Sequence, residues 1–286
     1  FNFYSKMCLA VMRDAALAMV RAAAGTGVPV VVAGSDATDE PEAFLAAGAV
    51  AVILGEGEHA LREVAARLLE QAASAQAPAE APAAPIASSL LDVAGLALAG
   101  EPGGPARRTA ARMPEREPDA FPLPARDLAD LAAYRTLWRA RHGQWSLNAV
   151  ATRGCPFHCN WCAKPIWGQR YAMRAPEAVA DELARLAAEW APDHVWFADD
   201  IFGLRPEWTA AFGDAVAARG VRVPFTVQTR VDLVTDAAAD GLARAGCDEA
   251  WLGVESGAQA VVDAMAKGLR VDDVVPATRR LQARGI

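Results

Sequence analysis

Apolar residues along this chain gather into short continuous runs and helical stripes that succeed one another in the order of an α/β protein. A helical stripe over Met12–Ala24 ends at Gly25 and Gly27. Val28–Ala33, an apolar run bounded by turn residues, predicts a buried parallel strand. A short helix is expected over Asp39–Ala47 and a second buried strand over Ala49–Leu54. Gly55-Glu56-Gly57-Glu58 then opens a helix that places Leu61, Val64, Ala65 and Leu68 on one face. This is the pattern of the back half of a doubly wound domain, in which ligands sit beyond the carboxyl ends of the strands. Here those ends are Gly34-Ser35-Asp36-Ala37-Thr38 and Gly55–Glu58.

From Gln71 to about Ala87 the composition turns to Ala, Pro and Ser, which offers nothing to bury and predicts an extended linker. Leu90–Leu98 and Thr109–Met113 are expected to pair across the Gly100–Gly104 turn, and Phe121-Pro122-Leu123-Pro124 to lead in extended form to the next domain. After Leu147 the alternation of strand and helix returns. Strands are predicted at Leu147–Thr152, His194–Ala198, Pro224–Thr229 and Ala250–Val254. Helices are predicted at Pro176–Trp190, Pro206–Arg219, from Thr235 to Gly246, and at Asp272–Arg284. Four consecutive βα units point to a barrel or partial barrel with its polar residues at the strand ends. Trp196, Phe197, Trp208 and Trp251 are expected in its core. The domain expectation is therefore 1–72, a linker and hairpin over 73–125, and a barrel over 126–286 that continues beyond the sequence. Phe1 already stands within a helical pattern, and Gly285-Ile286 reads as a turn into a further strand, so a segment of a longer chain is expected.

Composition narrows the function classes. The 286 residues are 53% hydrophobic and carry a net charge of −7. With no basic stripe, nucleic acid is not expected as a partner. No apolar run approaches the ~18 residues of a spanning helix, so a membrane is not expected either, and the cytoplasm is the expected location. Three of the five cysteines crowd into eight positions. A disulfide framework spreads its cysteines, whereas such a cluster points to metal.

Those three stand in Arg153-Gly-Cys-Pro-Phe-His-Cys-Asn-Trp-Cys162, with the spacing Cys-x3-Cys-x2-Cys directly after a predicted strand. Three thiolates hold three irons of a cubane and leave the fourth open, which suits catalysis rather than electron transfer alone. The rival reading is a zinc knot in a non-catalytic binding module, with His158 or Cys247 as fourth ligand, although no second Cys-x2-Cys hook is present. In its spacing, its location and the aromatic Trp161, this loop resembles the signature of the radical S-adenosylmethionine (SAM) superfamily. Gly253-Val-Glu-Ser-Gly257 and Met265-Ala-Lys-Gly268 extend the likeness.

The resemblance implies a [4Fe–4S] cluster on Cys155, Cys159 and Cys162, with SAM at the open iron. Trp161, Asp199, Asp200, Arg230, Glu255 and Ser256 would surround SAM. Asp199-Asp200 would face its ammonium or else cap a helix, Arg230 would meet its carboxylate or else lie on the surface, and Glu255-Ser256 would approach its ribose. Placed upstream of such a barrel, the first half is similar to the cobalamin-binding domain of the B12-dependent class, with Gly34, Ser35, Asp36, Gly55, Glu56, Gly57 and Glu58 near the cofactor. No Asp-x-His-x-x-Gly motif is present, so a cobalt-ligating histidine from that motif is not implied. The implied chemistry is reductive cleavage of SAM to start radical chemistry, followed by methylation of an unactivated carbon, or by ring formation or rearrangement in non-methylating members. The implied partners are a small-molecule or natural-product substrate and an electron donor such as flavodoxin or ferredoxin.

Overall fold

A computed structural model describes residues 6–75, 86–101, 104–164 and 166–286. The chain forms two compact units, one of residues 1–115 with Lys164–Trp167 and one of 116–163 with 168–286. Among the described residues no helix is long and apolar enough to cross a membrane.

The first unit contains α1 (Lys6–Ala24), β1 (Val31–Val32), α2 (Ser35–Asp39), α3 (Pro41–Ala46), β2 (Ala51–Ile53), α4 (Glu58–Ala75), α5 (Ile86–Ser89), β3 (Leu96–Leu98) and β4 (Arg107–Arg108). Its sheet has the order β1-β2-β3-β4. The first pair is parallel, and the other two are antiparallel. Alternation along the strands builds two cores. Ala51, Ile53, Leu96 and Leu98 meet Ala60, Val64, Leu90 and Val93 on one face. Val52 and Ala97 meet Val20, Phe44 and Ala47 on the other. Both faces of β2 are thus covered, which explains its unbroken apolar run.

Several expectations shift here. The first predicted strand is shorter than expected: Val31–Val32 pair with β2 and Val30 O accepts from Val50 N, while Pro29 lacks a donor and Val28 lies exposed. The expected 39–47 helix is two helices, with Pro41 restarting the second at its first turn. On α4 the buried stripe runs through Ala60 and Val64 toward Leu68, and Leu61 is exposed. That helix continues to Ala75 into the expected linker, and α5 occupies its last residues. The stretch 76–85 between them lies outside the described residues. The hairpin forms between Leu96–Leu98 and Arg107–Arg108, inside the expected 73–125 connection, and so extends the first sheet.

The second unit contains α6 (Leu131–His142), β5 (Ser146–Ala149), β6 (Thr152–Gly154), β7 (Tyr171–Met173), α7 (Pro176–Trp190), β8 (His194–Phe197), α8 (Pro206–Ala218), β9 (Phe225–Thr229), α9 (Asp236–Ala245), β10 (Cys247–Leu252), α10 (Gln259–Ala264) and α11 (Val274–Gln282). Strands β5, β8, β9 and β10 form one parallel sheet in the order β10-β9-β8-β5. The helix-facing residues Val195, Phe197, Phe225 and Val227 pack on Leu183, Phe212, Val216 and Leu242. Helices α8 and α9 cross where an added Cβ on Gly213 would stand 2.3 Å from Gly241 O.

The other face of this sheet carries polar and aromatic side chains. Trp196 is partly buried and Trp251 is 52% exposed. Their rings meet edge to face at 4.9 Å, so neither joins the helix-side core that holds Phe197 and Trp208. Nearby, Ser146 Oγ lies 2.9 Å from His194 Nδ1, and His194 Nε2 lies 2.8 Å from Thr226 Oγ1. Helix α6 was not anticipated, although Asp130 caps it by accepting from Ala133 N. The predicted 147–152 strand is also divided. Ser146–Ala149 joins the parallel sheet, while Thr152–Gly154 turns away to pair antiparallel with Tyr171–Met173.

Candidate active site

That β6–β7 ribbon is the neck of the cysteine loop. Gly154 pairs with Tyr171, so the loop that begins at Cys155 leaves and re-enters the fold through adjacent strands. The turn before it is held by Asp199, at the carboxyl end of β8. Both Asp199 carboxylate oxygens lie 3.2 Å from Ala151 N, and Thr152 Oγ1 bonds to Oδ1. The same hydroxyl lies 3.0 Å from Ile201 O. Asp199 is 1% exposed, and burial pushes its carboxyl up to about 7. It is therefore engaged inside the fold, and Asp200 is the exposed carboxylate at this strand end.

Arg230, at the end of β9, is also buried. Its Nε and Nη2 donate to Asp232 at 2.9 and 3.2 Å, and its Nη1 donates to Lys267 O at 3.0 Å. The guanidinium carbon stands 3.7 Å from the centroid of Phe157, in the middle of the cysteine loop. Asn160 binds the same neighbourhood. Its backbone N donates to Met265 O at 3.1 Å, and its Nδ2 donates to Ala264 O at 2.7 Å. Lys267 Nζ pairs with Glu255 at 3.0 Å and lies 5.8 Å from the Trp161 ring centroid. Glu255 and Ala266 both hold positive φ, +68° and +52°, a conformation that side-chain-bearing residues adopt at a cost. Ser256 Oγ accepts from Ala258 N at 3.1 Å and turns the chain there.

The fold thus brings Trp161, Arg230 and Glu255 around one loop. It adds Phe157, Asn160 and Lys267, to which the sequence reading gave no role. Met265-Ala-Lys-Gly268 had drawn notice as a motif, but which of its atoms the loop would bind was not legible. Among the described residues Cys155, Cys159, Cys162 and Cys247 are not in disulfides. Cys155 and Cys159 are partly buried and Cys162 is exposed. Among the described residues no group of three His, Cys, Asp or Glu side chains is gathered tightly enough to hold a metal ion. Cys247, considered above as a fourth ligand, opens β10, and its buried thiol donates to Glu249 O at 3.4 Å. Burial pushes that thiol up to about 12. His158 is exposed.

In the first unit the two strand-end loops are joined through Thr38. Its hydroxyl donates to Gly34 O at 2.8 Å and accepts from Gly55 N at 3.1 Å. Gly34 and Gly55 both have positive φ, and a Cβ on Gly34 would meet nothing within 4 Å. Ser35 opens α2, and Asp36 in its first turn is paired with Arg13. Glu56 accepts from Glu115 N at 2.7 Å and from Trp167 Nε1 at 3.1 Å. Gly57 packs 3.5 Å from Ile53 when given a Cβ, and Glu58 starts α4.

An uncharacterized methyltransferase of Pyrococcus horikoshii is 24% identical over 192 residues, 67% of this chain and 41% of that protein. An anaerobic magnesium-protoporphyrin IX monomethyl ester cyclase of Cereibacter sphaeroides is 30% identical over 141 residues, 47% of this chain and 22% of the cyclase. The radical SAM methyltransferase TsrM of Kitasatospora setae, solved with tryptophan and a SAM analogue, superposes with a TM-score of 0.71 at 21% identity. That match covers 94% of this chain and 51% of TsrM. A second TsrM structure, with cobalamin and a [4Fe–4S] cluster bound, gives 0.70 at 20% identity. The chain therefore spans about half or less of the proteins it matches. The family model described as the radical SAM superfamily matches residues 149–286, the stretch that contains the cysteine loop, its ribbon neck and strands β8, β9 and β10 of the parallel sheet. Over residues 149–286, just under half of its length, the chain therefore carries a radical SAM superfamily domain.

Proposed function

We propose that the chain is the core of a cobalamin-dependent radical SAM methyltransferase, with Cys155, Cys159 and Cys162 as the ligands of a [4Fe–4S] cluster. The observation that carries this reading is the Cys-x3-Cys-x2-Cys loop at the start of the superfamily match. The donor set fits the cluster in kind, since three cysteines share one loop, none of them is in a disulfide, and the loop sequence offers no fourth sulfur. When bound, the cluster would supply the electron that cleaves SAM, and cobalamin would supply the methyl group.

The protein's part is to bind, orient and shield. Asp200, exposed at the end of β8, suits an ammonium group, and Trp161 and Glu255 border the loop where the rest of SAM would lie. Arg230 and Asp199 are already engaged by the fold and are assigned supporting roles. For cobalamin, the linked loops Gly34–Thr38 and Gly55–Glu58 stand at strand ends, and the backbone at Gly34 is open, which suits a large planar cofactor and its tail. Support for that assignment comes from the TsrM structure with cobalamin bound.

The likeness to the anaerobic cyclase favours one second reading, ring formation without methyl transfer. Product analysis separates the two. After anaerobic reconstitution the protein should take up about four irons and form 5′-deoxyadenosine, with S-adenosylhomocysteine accumulating only if methyl is transferred. Cys159→Ala should abolish both iron uptake and 5′-deoxyadenosine. Zinc in place of iron, or cleavage of SAM by the alanine variant, would refute the cluster assignment.

A further inference from the structure

The two spacers of the cysteine loop are each anchored to the same turn. Phe157, between Cys155 and Cys159, lies under the guanidinium of Arg230. Arg230 in turn donates to Lys267 O at 3.0 Å and Gly268 O at 3.4 Å. Asn160, between Cys159 and Cys162, bonds to Ala264 O and Met265 O through its side chain and backbone. Neighbouring Trp161 faces Lys267 Nζ. Residues 264–268 therefore touch the loop on both sides of its central cysteine.

The hydrogen-bonding fork of Arg230 is occupied. A carboxylate that sought it would find Asp232 already bound through Nε and Nη2, and one face covered by Phe157. At 7% exposure the group is desolvated, the setting in which a cation over an aromatic ring contributes most. A lysine would reach neither the two carbonyls and Asp232 together nor stack flat on the ring.

We propose that Arg230 is a positioning residue that pins the Phe157 spacer to the 264–268 turn, while Asn160 pins the second spacer, so that the barrel sets the path of the cysteine loop before metal arrives. Its bearing on catalysis rests on the reading that these thiols hold the cluster. The pin itself is a property of the metal-free chain, and the test is made there.

Amide hydrogen exchange is measured on the metal-free protein for Arg230→Gln, Arg230→Lys, Phe157→Leu and the double variant R230Q/F157L. The Asn160 amide should exchange about tenfold faster in each single variant, Arg230→Lys included. The double variant should exchange no faster than R230Q alone, because both substitutions break one contact. Core amides of β8 and β9 should keep their wild-type protection. After anaerobic iron loading and one-electron reduction with dithionite, R230Q should show a broadened electron paramagnetic resonance signal relative to wild type, a sign of a heterogeneous cluster setting. Unchanged exchange at Asn160, combined with a large loss of SAM affinity in R230Q, would assign Arg230 to SAM and overturn the proposal. Additive acceleration in the double variant would overturn it as well. Phe157→Leu removes no buried charge, so it carries the test if the arginine variants fail to fold. Iron uptake by the wild-type protein tests the cluster reading separately. No uptake with the expected exchange pattern would sink that reading and leave the pin standing.

Discussion

Asp199 shows how one buried side chain prefers to be neutral. Thr152 has a single hydroxyl proton but lies between two acceptors, Asp199 Oδ1 and Ile201 O. Thr152 Oγ1 and Ala151 N both donate to the carboxylate and favour its charged form, but burial outweighs them. Burial pushes the carboxyl from its ordinary 3.8 up to about 7. Between those values the native chain keeps a proton that the unfolded chain releases, so stability should fall as pH rises through the window and level off above it. The expected loss is on the order of a few kcal/mol. Asp199→Asn removes the titrating carboxyl and should flatten this dependence, as read from melting temperature against pH between about 4 and 8. A variant with the wild-type slope would show that another group carries it. Legibility at this scale was uneven. The three cysteines stand out in the sequence because their spacing is itself the signal that suggests their chemistry. Asp199 and Arg230 were legible as polar residues at strand ends, but their partners, Thr152 and Phe157, are far away in sequence and only the fold brings them near.

Elements were legible where burial imposed a period. Helix α7 matches its expected span because Val179, Leu183 and Leu186 are all buried on one stripe and Pro176 fixes its start. Helix α6 escaped because it has no buried residue. Tyr134 and Leu137 are exposed, so no stripe marks it. The β6–β7 ribbon escaped for another reason. Thr152–Gly154 follows β5 closely and carries no change of pattern, and its partner lies beyond the cysteine loop. Glycine at one crossing was given no role by the sequence reading, and only the structure shows why it is there. A Cβ on Gly213 would stand 2.3 Å from Gly241 O, and one on Gly241 would stand 2.4 Å from Thr209 O. Since backbone cannot yield as a flexible side-chain tip can, Gly213→Ala should force α8 and α9 apart and cost about 1–3 kcal/mol or more. Urea unfolding measures this, and an unchanged midpoint would mean that the helices can shift without loss.

At the scale of the molecule, the cores of the two units share no residue. The barrel-side cluster runs from Trp145 to Leu281, and the others lie within Val20–Leu98. Each unit buries its own apolar residues, so each should melt as its own cooperative step. Calorimetry of the metal-free protein should resolve two transitions, and a single one with equal calorimetric and van't Hoff enthalpies would show that they are coupled. The division into an α/β first half and a βα second half was legible because both repeat short strands and amphipathic helices. The antiparallel β3 and β4 were placed less well, since their few residues fall among Ala, Gly and Pro without a period.

The ribbon that closes the neck of the cysteine loop bears on handling in air. On the proposed cluster assignment, loss of iron to oxygen would leave the ends of the loop tied to one another, because Gly154 and Tyr171 stay paired. A protein bleached in this way should then recover with fresh iron, sulfide and reductant alone, with no cycle of denaturation and renaturation.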